Sequence, residues 1–371
     1  MSERLIVTYE IAAGAPDVDT VAEAIAVEQS VEMPLEAIGH ARVLDEHVGR
    51  IASIDGRDDG THLVRIALPA INVGAELAQF LNVVFGNSSL HDHVRLVDVE
   101  VPGGLAALFP GPRHGIEGVR RLVGAERRPL TCTALKPVGL EAGQLAELAG
   151  AFARAGIDVV KDDHGLAGQT TAPFAERLGA VQRAVQVANE STGGATRYAP
   201  SLVGGPSTLR AQAALACEAG VDVVLVAPML VGLTVFADLV AEFPELAFLA
   251  HPAFAGAQRI APPYLLGTLF RQLGADAVIF PNHGGRFAYA PEVCAQIGQR
   301  ARAESAGIRA CLPVPAGGMV VERVDEMVDF YGAEVMLLIG GALMMAGEGI
   351  EAAARAFVER VAAAVLAGPR S

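Results

Sequence analysis

The apolar run Val159-Val160 leads directly into Lys161-Asp162-Asp163-His164. In an extended strand side chains alternate, so Val159, Lys161 and Asp163 share one face while Asp162 points to the other. A lysine and a carboxylate on one face can hold a metal ion, or shift each other's pKa for proton transfer. A structural ion pair is the alternative that this pair alone leaves open. Other apolar runs also end in polar groups: Leu135 at Lys136-Pro137, Leu249-Ala250 at His251, and Ile279-Phe280 at Pro281-Asn282-His283-Gly284-Gly285-Arg286. The last of these, glycine-rich with one cation, suits a mobile lid over an anion, although an ordinary loop has the same composition. Gly317-Gly318 and Gly340-Gly341 follow two more runs. Glycine lets backbone N–H groups approach phosphate oxygens, and the two pairs together point to a phosphate site. His91-Asp92-His93 has a ligand-like H-x-H spacing but reads as a solvated turn.

These groups need elements to position them. Candidate strands are Thr131–Leu135, Val159–Lys161, Arg197–Leu202, Val221–Val226, Ala247–His251, Ala277–Phe280, Ala310–Val314 and Val335–Ile339. Helical stretches alternate with them: Glu141–Ala155, Ala172–Ala188, Ser207–Ala219, Pro263–Leu273, Pro291–Ala306, Val321–Tyr331 and Ile350–Leu366. Eight such strands predict an α/β fold of the (β/α)8 TIM-barrel kind, and their continuous apolar character fits a parallel sheet covered by helices. A doubly wound sheet is the competing fold, but no G-x-G-x-x-G follows the first strand, where 131–140 reads TCTALKPVGL. In a barrel the active site lies at the C-terminal strand ends, where the polar residues stand, and loops after strands seven and eight commonly bind phosphate. Residues 1–114 read differently, with strands Leu5–Ile11, Thr61–Ala67 and Val94–Val101 and a helix Val18–Gln29. They predict an N-terminal α+β, ferredoxin-like domain ahead of a barrel at 115–371, with the Gly-, Pro- and Arg-rich stretch Gly103–Arg121 as the connection.

Bulk properties narrow the function classes. The 371 residues are 52% hydrophobic and 19% charged, enough to bury a large core. A formal net charge of −14 argues against nucleic acid or an anionic membrane as partner. The four cysteines, Cys132, Cys217, Cys294 and Cys311, lie in apolar segments without C-x-x-C pairing, as expected of reduced core thiols. Charges interrupt Met1–Ile11, and no run reaches the roughly 18 apolar residues of a membrane span, so a soluble cytoplasmic protein is expected.

Taken in order, LKPVGL (135–140), GIDVVKDDH (156–164), HPAFAGA (251–257), the glycine lid with its cation, PAGGM (315–319) and LIGGA (338–342) resemble the RuBisCO large chain. The likeness is greatest to the RuBisCO-like proteins that do not fix carbon dioxide. VEQSVEMP (27–34) and VFGNSS (84–89) resemble segments that reach the active site of a partner subunit. The resemblance implies that Lys161 is carbamylated and holds magnesium with Asp163, and that Lys136 stands near the enolisation chemistry. It matches Arg286 to the lid lysine, His251 to a substrate-binding histidine, and Gly318, Gly340 and Gly341 to a phosphate site. Glu28 and Asn87 match residues contributed across a homodimer with shared active sites.

The departures are as informative. His164 stands where the family has a glutamate as third metal ligand, and an imidazole suits magnesium poorly, so it is a weaker ligand or a proton-transfer group. Val138 falls beside the place of a second active-site lysine, and Met33-Pro34 replaces a Thr-Trp pair. Pro252 and Ile279 replace an arginine and a histidine that bind a second phosphate. Carboxylation of a bisphosphate is not expected; a small phosphorylated substrate with one phosphate is. The step that the resemblance implies is metal-assisted proton abstraction next to a carbonyl. The reading leans to decarboxylation or hydrolysis of a 3-oxo-isoapionate-4-phosphate-type acid. Its alternatives are isomerisation of 5-methylthioribulose 1-phosphate and enolisation of a diketo-methylthiopentyl 1-phosphate. A reading of another class, a catalytically inactive dimeric binding protein, is opposed by the retained Lys136, Lys161 and Asp163.

Overall fold

The computed structural model describes residues 3–12, 14, 17–125, 127–304 and 307–366. It divides into one unit that reaches to Phe109 and includes Gly256–Leu265, and a second formed by Pro110–Ala255 and the chain from Leu266 onward.

The first unit is built on β1 (Arg4–Ile11), where Leu5, Val7, Tyr9 and Ile11 are fully buried and the residues between them are not. That strict alternation fixes which face packs. β1 lies between β3 (His62–Pro69) and β4 (Val94–Glu100), with β2 (Arg50–Gly56) at the edge, giving the antiparallel order β2-β3-β1-β4. The helix Val18–Glu28 starts at Asp17, whose carboxylate accepts from Thr20 N, and turns Val21, Ala22, Ile25 and Ala26 inward. A second helix, Leu77–Phe85, buries Phe80, Val83 and Val84, and Tyr9 donates its hydroxyl to Val84 O at 2.6 Å. With β1, helix, β2, β3, helix, β4 in chain order, this is the expected ferredoxin-like arrangement. β2 and the helix Leu77–Phe85 were not anticipated. β2 carries no buried residue, so its sequence lacks the apolar face by which a strand is recognised.

In the second unit β5 (Leu130–Leu135), β6 (Val159–Asp162), β7 (Arg197–Ala199), β8 (Val223–Val226), β9 (Ala247–Ala250), β10 (Ala277–Pro281), β11 (Leu312–Ala316) and β12 (Met336–Leu338) form one eight-stranded sheet. Its pairings are all parallel, in the order β7-β6-β5-β12-β11-β10-β9-β8. The two end strands meet through Leu225, which donates to Pro200 O at 2.9 Å and accepts from Leu202 N at 2.8 Å. The sheet is thus a nearly closed barrel, filled by alternate residues such as Val159, Leu225, Leu249, Ile279, Val314 and Leu338.

Several details differ from expectation. β7 stops at Ala199 because Pro200 lacks an N–H and Ser201 N turns to a side chain instead. β11 runs two residues later than expected. Residues 263–269 form a π-type coil rather than a regular helix, and an unanticipated helix, Leu233–Glu242, follows β8. Cys132, Cys294 and Cys311 are buried, but Cys217 is half-exposed, its thiol 3.3 Å from Glu245 Oε1, because it lies off the buried face of its helix. No described helix is long and apolar enough to cross a membrane.

Candidate active site

Lys161 is the inward residue near the end of β6 and is only 3% exposed. Its ammonium donates to Asp162 O at 3.0 Å. Burial lowers its pKa, and the neighbouring Lys136 pushes the same way against the pull of Asp163. One residue earlier the strand would turn the amine outward; one later, Asp162 does point outward. Its carboxylate accepts from Tyr198 Oη at 2.8 Å, from Arg177 Nε at 3.0 Å and from Ser201 N at 3.0 Å. Asp162 and Arg177 are both fully buried, so this network anchors the strand that carries the candidate chemistry.

Asp163 returns to the mouth. It pairs with the ammonium of Lys136, accepts from Gly165 N at 3.0 Å, and faces His164 Nδ1 at 3.4 Å. Burial opposes its ionisation, but the Lys136 and Gly165 hydrogen bonds and the charges of Lys161 and Lys136 hold its carboxyl below the usual range. The His164 ring stacks on His251, with centroids 4.2 Å apart and planes 15° from parallel. His251 Nδ1 accepts from Ala253 N at 3.1 Å, which places its proton on Nε2. Burial, with Lys161 and His164 adding to it, pushes the His251 pKa down to about 2. His164 is lowered too, first by burial and then by the two lysines. Both imidazoles are therefore neutral near pH 7. The cluster holds two amines, one carboxylate and two neutral rings.

The structure brings Lys136, Lys161, Asp163, His164 and His251 together. A Cβ on Gly340 would meet Lys136 Cε at 3.7 Å, so the end of β12 belongs to the same mouth, with Gly341 opening the short helix Gly341–Met344. Gly317 and Gly318 follow β11 and both have positive φ, +83° and +66°. A Cβ on Gly318 would lie 2.6 Å from Gly285 Cα, and one on Gly285 would lie 2.7 Å from Gly317 O. The loops after β10 and β11 thus touch backbone to backbone. Arg286 is exposed, with its guanidinium 4.8 Å from the centroid of the Phe287 ring, itself 72% exposed. Ile279 is buried in the barrel interior and Pro252 presents no hydrogen-bond donor.

Within the first unit, Asn87 Nδ2 donates to Glu28 Oε1 at 2.7 Å and lies 3.3 Å from Glu32 Oε1. His91, Asp92 and His93 form a turn, with Asp92 paired to Arg259. Among the described residues no three His, Cys, Asp or Glu side chains converge to hold a metal ion. The oxygen-rich set that magnesium prefers would need Lys161 to contribute as a carbamate beside Asp163. Carbon dioxide adds to the neutral amine, the form that burial favours at Lys161, so the residues present fit such a site. Reading the sequence for chemistry missed Arg323, which reaches the loop after β10; its only signal is the R-x-x-E spacing to Glu326.

Residues 115–262 match the model of the ribulose bisphosphate carboxylase large chain, catalytic domain. The chain is 48% identical to the 5-methylthioribulose-1-phosphate isomerase of Rhodospirillum rubrum, over 99% of both chains. It is 35% identical to the 2,3-diketo-5-methylthiopentyl-1-phosphate enolase of Geobacillus kaustophilus, over 82% of this chain and 76% of that one. Among solved structures, a RuBisCO-like protein from Rhodopseudomonas palustris superposes with a TM-score of 0.92 at 45% identity, covering 100% of both chains.

Proposed function

The chain belongs to the RuBisCO large-chain family, among its non-carboxylating RuBisCO-like enzymes, and on that premise we propose that it isomerises 5-methylthioribulose 1-phosphate by enolisation. The observation that carries the reading is the cluster at the barrel mouth: buried Lys161 beside the Lys136–Asp163 pair and two neutral imidazoles. The isomerase named above supplies the substrate, at 48% identity over nearly the whole chain. The apionate-type acid expected from the residues gives way, because these relatives are named for methylthio phosphates.

Isomerising a ketose phosphate requires a proton to leave a carbon next to the carbonyl and return elsewhere. His164 Nδ1 faces the Asp163 carboxylate, which favours the tautomer protonated there and leaves Nε2 free to accept the proton. His251 carries its proton on Nε2 and donates to a substrate oxygen. Lys136 places a positive charge where the enolate oxygen develops. The backbone of Gly317-Gly318 and Gly340-Gly341 receives the single phosphate, and Arg286 closes over the bound anion. Pro252 offers the far end of the substrate no hydrogen-bond donor, and Ile279, buried in the barrel interior, supplies no imidazole there, which suits a thioether and would strand a second phosphate. Magnesium would be held by Asp163 and a carbamate on Lys161, with His164 beside them, and would supply a Lewis acid for the enolate oxygen. The working form is a homodimer in which Glu28 and Asn87 serve the partner subunit's site.

The test is turnover of 5-methylthioribulose 1-phosphate, followed by NMR in deuterated water, against the diketo-methylthiopentyl phosphate. Isomerisation with deuterium incorporation is expected. Preference for the diketone would reassign the chain as an enolase. Tight binding of both without turnover would favour a binding protein.

A further inference from the structure

Arg323 begins the helix Val324–Tyr331 that follows the Gly317-Gly318 turn. Its guanidinium is used on every side. Nε donates to Glu326 Oε2 at 2.9 Å and Nη2 to Glu326 Oε1 at 2.7 Å, a two-pronged pair that fixes the plane of the group. Nη1 then donates to His283 O at 3.1 Å and to Gly318 O at 3.4 Å. Nη2 also lies 3.3 Å from His283 Nδ1. One side chain therefore binds the root of the glycine lid and the turn after β11 at once. The same two segments interlock at Gly285 and Gly318, where neither backbone leaves room for a Cβ. A Cβ on Gly284 would in turn come within 3.0 Å of Arg323 Nη1.

We infer that Arg323, held by Glu326, is a positioning residue: a brace that sets the lid root His283–Gly285 against the phosphate turn Gly317-Gly318, so that phosphate binding and lid placement are one event. It touches no reacting atom. The inference rests on the reading of Gly317-Gly318 as part of the phosphate site. A lysine cannot reproduce the brace, because one ammonium lacks the planar fork that spans a carboxylate and two carbonyls.

Three readouts test it on the full-length protein: kinetics with 5-methylthioribulose 1-phosphate, competition by inorganic phosphate, and tryptic cleavage after Arg286 with and without inorganic phosphate. In the wild type, phosphate should compete with substrate and slow cleavage at Arg286. Arg323→Gln should raise the KM and the phosphate inhibition constant by about tenfold, remove phosphate protection of Arg286, and lower kcat less. Arg323→Lys should behave like Arg323→Gln, and Glu326→Gln should fall between them and wild type. Thermal melting confirms that each variant is folded; where Arg323→Gln is not, Glu326→Gln carries the test. Unchanged KM and intact phosphate protection in the folded variants would overturn the brace while leaving the phosphate site standing. A wild type indifferent to inorganic phosphate in both binding readouts would instead sink the phosphate site, and the brace with it.

Discussion

At the scale of single residues, the mouth of the barrel is a problem in where protons sit. Lys161→Ala should lower kcat by at least about 10²-fold with the melting temperature nearly kept, since the amine makes one hydrogen bond in the fold. A fully active variant would remove Lys161 from the site. His251 makes a prediction about pH. Its pKa falls to about 2 in the folded protein, whereas an unfolded histidine titrates near 6.5. Between those values the unfolded chain binds a proton that the folded one does not. The stability is therefore complete above pH 6.5 and is lost as the pH falls toward 2, at no more than about 1.4 kcal/mol per pH unit from this group. Urea melts at pH 7.5 and 5 should show His251→Gln losing less stability on acidification than wild type; an equal loss would refute the burial of a neutral ring. Much of this cluster was legible in the sequence, because a strand alternates: Lys161 and Asp163 had to share a face and Asp162 had to oppose them. The stacking of His164 on His251 was not legible. It joins two strand ends nearly 90 residues apart in sequence, and only the barrel brings them together.

At the scale of elements, two connections decide whether the chemistry is held in place. Behind β6, the buried Asp162–Arg177 pair with Tyr198 anchors the strand; Asp162→Ala would leave Arg177 charged and unpaired, costing about 3–5 kcal/mol. Denaturant unfolding should show that loss, and a loss below about 1 kcal/mol would mean the network is not anchoring the strand. Between β10 and β11, Gly318 combines a positive φ with a neighbour 2.6 Å from any added Cβ. Gly318→Ala should therefore cost about 1–3 kcal/mol of stability and weaken phosphate competition, read by melting and by the inhibition constant of inorganic phosphate. Strand identities could be read because their apolar runs are buried on both faces, whereas ends could not. β7 ends early for a reason visible only in the fold: Ser201 N is drawn to Asp162 rather than along the strand. β2 went unread because an edge strand with no buried residue leaves no apolar periodicity. Gly317-Gly318 was read as a phosphate ligand alone, and its second task, letting two loops pass at backbone distance, depends on a neighbour that the sequence does not name.

At the scale of the whole molecule, the proposed sharing of sites in a dimer makes a test that no single chain can pass. Glu28 and Asn87 are already hydrogen bonded to each other in the first unit. A Glu28→Gln subunit and a Lys161→Ala subunit, each inactive alone, should recover activity when mixed into heterodimers, because one composite site is intact. Verified heterodimers without recovery would mean each subunit works alone. The barrel seam carries a different consequence. Seven of the eight junctions are paired strands, but among the described residues β7 and β8 share no ladder, and the joint rests on the two hydrogen bonds at Leu225 with the Arg197–Asp222 ion pair at 2.9 Å beside them. A ring with one weak joint breathes there first, so the Leu225 and Leu202 amides should exchange with deuterium before those of β9 and β10. Ser201, between the two, donates to Asp162, whose neighbours in sequence are Lys161 and Asp163. Each opening of the joint would loosen the backing of Lys161 and Asp163, the pair proposed to hold the metal ion, giving a slow fluctuation at the rim a direct line to the rate at the centre.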